Sequence, residues 1–188
     1  MMGWVRVRLV SLLVIVAVAA CADGRKEPAP LAPSFNTSAS ELTPPDVSKL
    51  AKLKPGRARP AEVVTAAIGP EGGSLRLGDF EIIVPAGAVT KKTPFRIKTP
   101  ADPDGAQYSY AEFDPSGTFL KPLTIRLPLD NTQPDEGATE ASVVWWSGTE
   151  WVALPSRRTE DGRIEAETSH FSVYGTSYRF RGVTILGG

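Results

Sequence analysis

Three stretches of this chain alternate apolar and polar residues with period two, and that pattern decides the fold class. Phe95-Arg96-Ile97-Lys98-Thr99 places Phe95 and Ile97 on one face and Arg96 and Lys98 on the other. Leu123-Thr124-Ile125-Arg126-Leu127-Pro128-Leu129 repeats it, with Leu123, Ile125, Leu127 and Leu129 inward and Thr124 and Arg126 outward. Arg163-Ile164-Glu165-Ala166-Glu167-Thr168 puts Ile164 and Ala166 in, Glu165 and Glu167 out. Successive side chains of a strand point to opposite faces, so these are half-buried strands. Turn signals separate the runs: GPEGG at 69–73, PAGA at 85–88, DPSG at 114–117, SGTE at 147–150 and EDG at 160–162. Asp161-Gly162 suits a tight hairpin, and Ser147–Glu150 joins VVWW to WVAL as another. No sustained helical period appears. Many short strands at regular spacing predict an all-β, antiparallel β-sandwich.

The N-terminus carries a different message. Arg6 and Arg8 precede an apolar run of about a dozen residues, with Cys21 directly after it. A basic start, a short apolar centre and small residues at the end make a secretory signal over residues 1–20. The run is shorter than the roughly 20 residues that a spanning helix needs. Val18-Ala19-Ala20-Cys21 resembles the bacterial lipobox, with Val18 in place of the usual leucine. That resemblance implies lipid attachment at Cys21 and a mature chain that begins there. Cys21 is the only cysteine, so no intrachain disulfide forms. Several acyl chains on one residue would hold the chain on a membrane without a spanning segment. The acid after the cysteine, Asp23, comes second rather than first, and the same resemblance favours the outer membrane where the organism has two membranes.

Residues 21–62 read as a spacer. Pro28, Pro30, Pro33, Pro44, Pro45, Pro55 and Pro60 punctuate it, and large apolar residues are sparse. Its one helical candidate is Asp46–Lys54, where Asp46 can cap and Val47, Leu50 and Ala51 share a face. The reading is a transient turn within the spacer, with a membrane-surface helix as the alternative. Without residues 1–20 the chain keeps 19 basic and 21 acidic residues. That balance argues against nucleic acid as a partner, because such binding needs a basic footprint.

Two segments carry a family resemblance. IGPEGGSLRLGDFEIIVPAGAV, residues 68–89, resembles the opening of the ZU5 domain through Gly69, Gly72, Gly73, Pro85, Gly87 and Ala88. FDPSGTFLKPLTIRLPL, residues 113–129, resembles its middle hairpin through Pro115, Gly117, Phe119 and Pro122. The resemblance covers residues 63–178 and implies a β-sandwich used as an interaction module. Pro85 and Pro122 lack an N–H, so both are expected at strand ends or edges. Residues 179–188 are a tail or one more strand.

The resemblance also raises one chemical candidate. Some relatives cut themselves at His-Phe-Ser, and here the matching residues are His170, Phe171 and Ser172. In a continuous strand His170 and Ser172 would share a face, with Phe171 turned to the core. The imidazole would take the serine proton, and the hydroxyl would attack the Phe171 carbonyl; the Phe171–Ser172 amide would break, its nitrogen taking the proton, and leave an ester open to hydrolysis. The competing reading is an ordinary closing strand, and it is preferred. A third reading uses Trp145, Trp146 and Trp151 as a platform for a wall glycan. Since neighbours in a strand face opposite ways, one of Trp145 and Trp146 should lie outward; the preferred reading is that one fills the core and the other covers a sheet face under a loop. One histidine and one lipidated cysteine leave no zinc set, Asp102 and Asp104 lack the remaining ligands of a calcium loop, and no cofactor is expected. The sequence therefore points to a non-enzymatic, lipid-anchored envelope protein with a membrane and an envelope protein or glycan as partners.

Overall fold

The computed structural model describes residues 35–36, 46–58, 61–101, 104–138 and 140–180. Residues 1–20, Cys21, most of the spacer and the tail 181–188 lie outside the described residues.

The architecture is an antiparallel β-sandwich. One sheet holds β1 (Phe35–Asn36), β4 (Gly73–Leu77), β5 (Phe80–Val84), β8 (Ser116–Pro128), β12 (Ser156–Arg158) and β13 (Arg163–His170), with β2 (Lys52–Leu53) and β9 (Thr132–Gln133) forming a separate small ladder. The order in this first sheet is β12-β13-β8-β5-β4, and β1 pairs with the start of β8. The second sheet holds β3 (Val63–Ile68), β6 (Thr93–Lys98), β7 (Tyr110–Asp114), β10 (Ser142–Trp146), β11 (Trp151–Ala153) and β14 (Val173–Ser177). Its order is β11-β10-β14-β7-β6-β3. All described pairings are antiparallel.

The period-two residues meet between the sheets. Phe80, Ile82, Val84, Leu123, Ile125, Leu127, Ile164 and Ala166 come from the first sheet, and Phe95, Ile97, Ala111, Phe113, Val143 and Tyr174 from the second. Each buried aliphatic side chain removed from water stabilises the sandwich by about 1.5–3 kcal/mol before entropy is counted. The turns fit their sequences. Gly72 has φ 82, and a Cβ there would lie 2.5 Å from the Val84 carbonyl oxygen, so a side chain is excluded by conformation and by space. The Thr159 amide donates to the Arg163 carbonyl at 2.9 Å and closes the hairpin that Asp161-Gly162 announced. Trp146 faces Trp151 across the Ser147–Glu150 turn.

Three expectations change. Pro122 lies inside β8, whose bounds are Ser116–Pro128, rather than at a strand end. It sits where the pairing with β13 shifts register between Thr168 and His170, and a bulge needs no N–H from the facing residue. Glu165 points outward as expected yet is only 4 % exposed, for reasons given below. The third change concerns the spacer, whose last part belongs to the folded unit. Val47–Lys49 is a single 3-10 turn rather than a longer helix, capped by Asp46, which accepts from the Ser48 amide at 3.1 Å. Leu50 and Ala51 are buried, and Lys52 and Leu53 pair with Gln133 and Thr132. A boundary drawn at residue 62 thus cuts through packed chain.

Candidate functional site

Of the residues singled out by sequence, His170, Phe171, Ser172, Trp145 and Trp146 sit around one sheet-to-sheet crossing. β13 ends at His170 in the first sheet, and β14 begins at Val173 in the second. Phe171 and Ser172 make the crossing. Phe171 enters the core as expected. Its ring lies 4.9 Å from Phe119, 5.8 Å from Phe113 and 6.0 Å from Phe95, centroid to centroid. Tilted and edge-to-face arrangements of this kind are the favoured ones for aromatic rings.

His170 and Ser172 are not a hydrogen-bonded pair. The rule that residues two apart share a face needs a continuous strand, and the chain bends between them. The Ser172 hydroxyl donates to the Trp146 carbonyl at 2.8 Å, which ties the crossing to β10. The His170 ring packs edge-on against Trp145 at 4.6 Å, and its Nε2 is buried with no described hydrogen-bond partner. Burial pushes the imidazole pKa down, since the charged form is poorly solvated there. The hydroxyls of Thr168 and Tyr174 both donate to the His170 carbonyl, at 2.8 and 2.7 Å. That carbonyl is one peptide before the Phe171–Ser172 bond that a self-cutting reaction would use. As they stand, these groups brace the crossing.

The tryptophans are placed on opposite sides. Trp145 turns inward and packs against the core, half-buried. Trp146 turns outward and is nevertheless 7 % exposed, and Trp151 is 3 % exposed. Their rings are 5.4 Å apart, in a second apolar cluster with Leu50, Val144 and Val173. The cover is the segment Asp46–Leu53, which lies over the outer face of the second sheet. Trp151 Nε1 donates to the Asp46 carbonyl at 2.8 Å, and the Ser177 hydroxyl to the Lys49 carbonyl at 2.6 Å. The Ala51 amide donates to the Thr176 carbonyl at 2.8 Å, while Ala51 accepts from Ser109 at 2.9 Å. Leu50 is seated over Gly175, where a Cβ would come within 2.7 Å of its Cδ2. The strap therefore takes Trp146 and Trp151 away from any glycan in this arrangement.

Sequence reasoning missed a second cluster, on the outer face of the first sheet. The registers align Arg76 with Glu81, Glu81 with Arg126, Arg126 with Glu165, and Glu165 with Arg157. Charges alternate across five strands in one row. Arg126 Nε donates to Glu165 at 2.7 Å, its Nη1 lies 3.3 Å from Glu81, and Arg157 holds the other Glu165 oxygen. Arg163 adds contacts to Glu81 at 2.7 Å and to Asp161 at 2.5 Å. The side chain of Arg157 is 67 % exposed while that of Glu165 is 4 % exposed, so the carboxylate is buried beneath its own partners. The hydrogen bonds from Arg163 hold the Asp161 carboxyl well below the usual carboxylate range. Two of the alternating stretches carried part of the signal, through Arg126 and Glu165, but only strand pairing puts them in a row with Arg76, Glu81 and Arg157.

No protein-family model matches this chain, and no curated protein matches its sequence.

Proposed function

We propose that this chain is a lipid-anchored cell-envelope protein whose ZU5-like β-sandwich serves as a non-enzymatic interaction or structural module. Anchoring is supported by the apolar run that ends in Val18-Ala19-Ala20-Cys21. The observation that carries the module reading is how the polar groups of the sandwich are used. Ser172, Thr168 and Tyr174 bond to backbone carbonyls at the crossing, and the charged row is paired within its own sheet. Groups committed in this way hold a scaffold; they are not poised toward a substrate. What such a domain offers a partner is its sheet edges and faces.

Two measurements test the reading. Cells fed an alkyne fatty acid should label the wild-type chain, and Cys21→Ala should lose both the label and membrane sedimentation. An unlabelled wild-type chain that stays in the soluble fraction would remove the anchor. Intact mass under denaturing conditions should give one unsplit species for wild type and for Ser172→Ala. A wild-type break between Phe171 and Ser172, absent in the variant, would make the module self-processing instead.

A further inference from the structure

Strand edges in soluble proteins are usually guarded, and three described edges here are. β4 carries Arg76 and begins with Gly73. β12 is three residues long and carries Arg157 and Arg158. β11 is three residues long and runs into Leu154-Pro155. Short length, charge and proline are the devices that stop edge-to-edge pairing. β3 has none of them. Val63-Val64-Thr65-Ala66-Ala67-Ile68 is six residues of uncharged, partly β-branched chain without Gly or Pro.

The open side of β3 has a definite phase. The Thr99 amide donates to the Glu62 carbonyl at 2.9 Å, and the register runs on from there as Val63 opposite Lys98 through Ile68 opposite Thr93. Bonded and non-bonded pairs alternate in an antiparallel ladder. Val64, Ala66 and Ile68 therefore address β6, and Val63, Thr65 and Ala67 turn their N–H and C=O groups outward. Among the described residues no hydrogen bond to those outward groups is formed. Beside this row runs an apolar seam. Val64, Ala66 and Leu77 are only partly buried against the core, and Val63 is 56 % exposed.

We propose that β3 pairs antiparallel with β3 of a second copy of this chain, about a two-fold axis at Thr65, joining the two second sheets into one. The occupant follows from the strand itself. With Thr65 opposite Thr65, Val63 falls opposite Ala67 and Val64 opposite Ala66. The three outward residues of each copy then form bonded pairs, six hydrogen bonds in all by the ladder geometry. Thr–Thr is a favourable cross-strand pair, and no like charges meet anywhere along the six residues. Val64 and Ala66 of the two copies close the seam. A two-fold contact consumes the edge on both copies, so association stops at the dimer. The pairing goes beyond the module reading and does not depend on the anchor.

Sedimentation of the full chain in mild detergent tests it. Wild type is expected as a dimer at high micromolar concentration. Thr65→Lys should weaken association by about tenfold or more, because two lysines then meet at the axis. Ser74→Lys, on the neighbouring β4 edge, should leave it unchanged. Tryptophan emission checks that both variants are folded. Independently of folding effects from a charge, Thr65→Cys in a Cys21→Ala background should form an interchain disulfide on oxidation, since bonded antiparallel pairs stand about 5.5 Å apart at Cα. Ser74→Cys in that background should not. A monomeric wild type, a Thr65→Lys dimer as tight as wild type, or equal crosslinking at residues 65 and 74 would each overturn the proposal. So would a wild-type monomer that dimerises only after residues 181–188 are removed, which would make the tail the occupant of the edge.

Discussion

The two outer faces of this sandwich are finished in opposite ways. The first sheet presents Arg76, Glu81, Arg126, Glu165 and Arg157 in one alternating row. The second sheet presents Val144, Trp146 and Val173, and covers them with a strap drawn from the N-terminal side. A two-layer fold buries only its inner faces, so each outer face must be made compatible with water. One face does this with charge that satisfies itself; the other is apolar and borrows extra chain. The charged face is local to its sheet, whereas the covered face depends on a segment 60 residues or more from most of what it touches. The covered face should therefore be the more fragile of the two.

The strongest test strikes the strap. Gly175→Val and Leu50→Ala attack the same contact from its two sides. The first forces a side chain against Leu50 and the Ser109 carbonyl, and the second leaves a void above Gly175. Each should cost about 2–3 kcal/mol in urea denaturation, with tryptophan emission moving to the red as Trp146 and Trp151 meet water. A loss below about 0.5 kcal/mol would mean the strap is not held by Leu50.

Breaking the charged face should cost somewhat less. Glu165→Ala leaves Arg126 and Arg157 without their shared carboxylate. Removing one member of a buried pair costs about 3–5 kcal/mol, and the exposure of Arg157 should reduce this to about 2 kcal/mol. Arg158→Ala sharpens the contrast. Its pair with Asp130 is exposed on both sides, so the change should stay under about 0.5 kcal/mol. Equal losses for the two variants would show that burial under the ladder contributes nothing.

The smallest effects are in pH. His170 has a depressed folded-state pKa, so the unfolded chain binds its proton first as pH falls. Its contribution to stability is present above about pH 6.5 and is lost as pH falls toward the folded value. His170→Gln should flatten that part of the stability profile. Asp161 is also depressed, by its Arg163 bonds, so its contribution is full above about pH 4 and fades in stronger acid. Asp161→Asn should flatten only that lower limb. If both variants reproduce the wild-type profile, neither group is held as the packing describes.

Much of the sandwich was legible because its strands alternate. Phe95, Ile97, Leu123, Ile125 and Leu127 announced their faces without knowledge of any partner strand, and each is fully buried. The hairpins at 147–150 and 159–162 were legible because their turn residues are local signals. The neighbourhood of His170 was legible only in part. Phe171 went to the core, but Ser172 found Trp146 because the chain changes sheets across Phe171 and Ser172. No period of two reports such a crossing.

What the sequence by itself determined is therefore the class of fold, its turns and which side chains form its centre, since these follow from residue-scale periodicity and turn chemistry. Only the tertiary structure decided that Leu50 belongs to the domain, that Trp146 is covered by the segment from Asp46, and that five charges stand in a row. Each of these depends on which segments lie side by side. Apolar residues among prolines look like spacer until a glycine at position 175 leaves a seat for one of them, and a glutamate looks exposed until two arginines close over it.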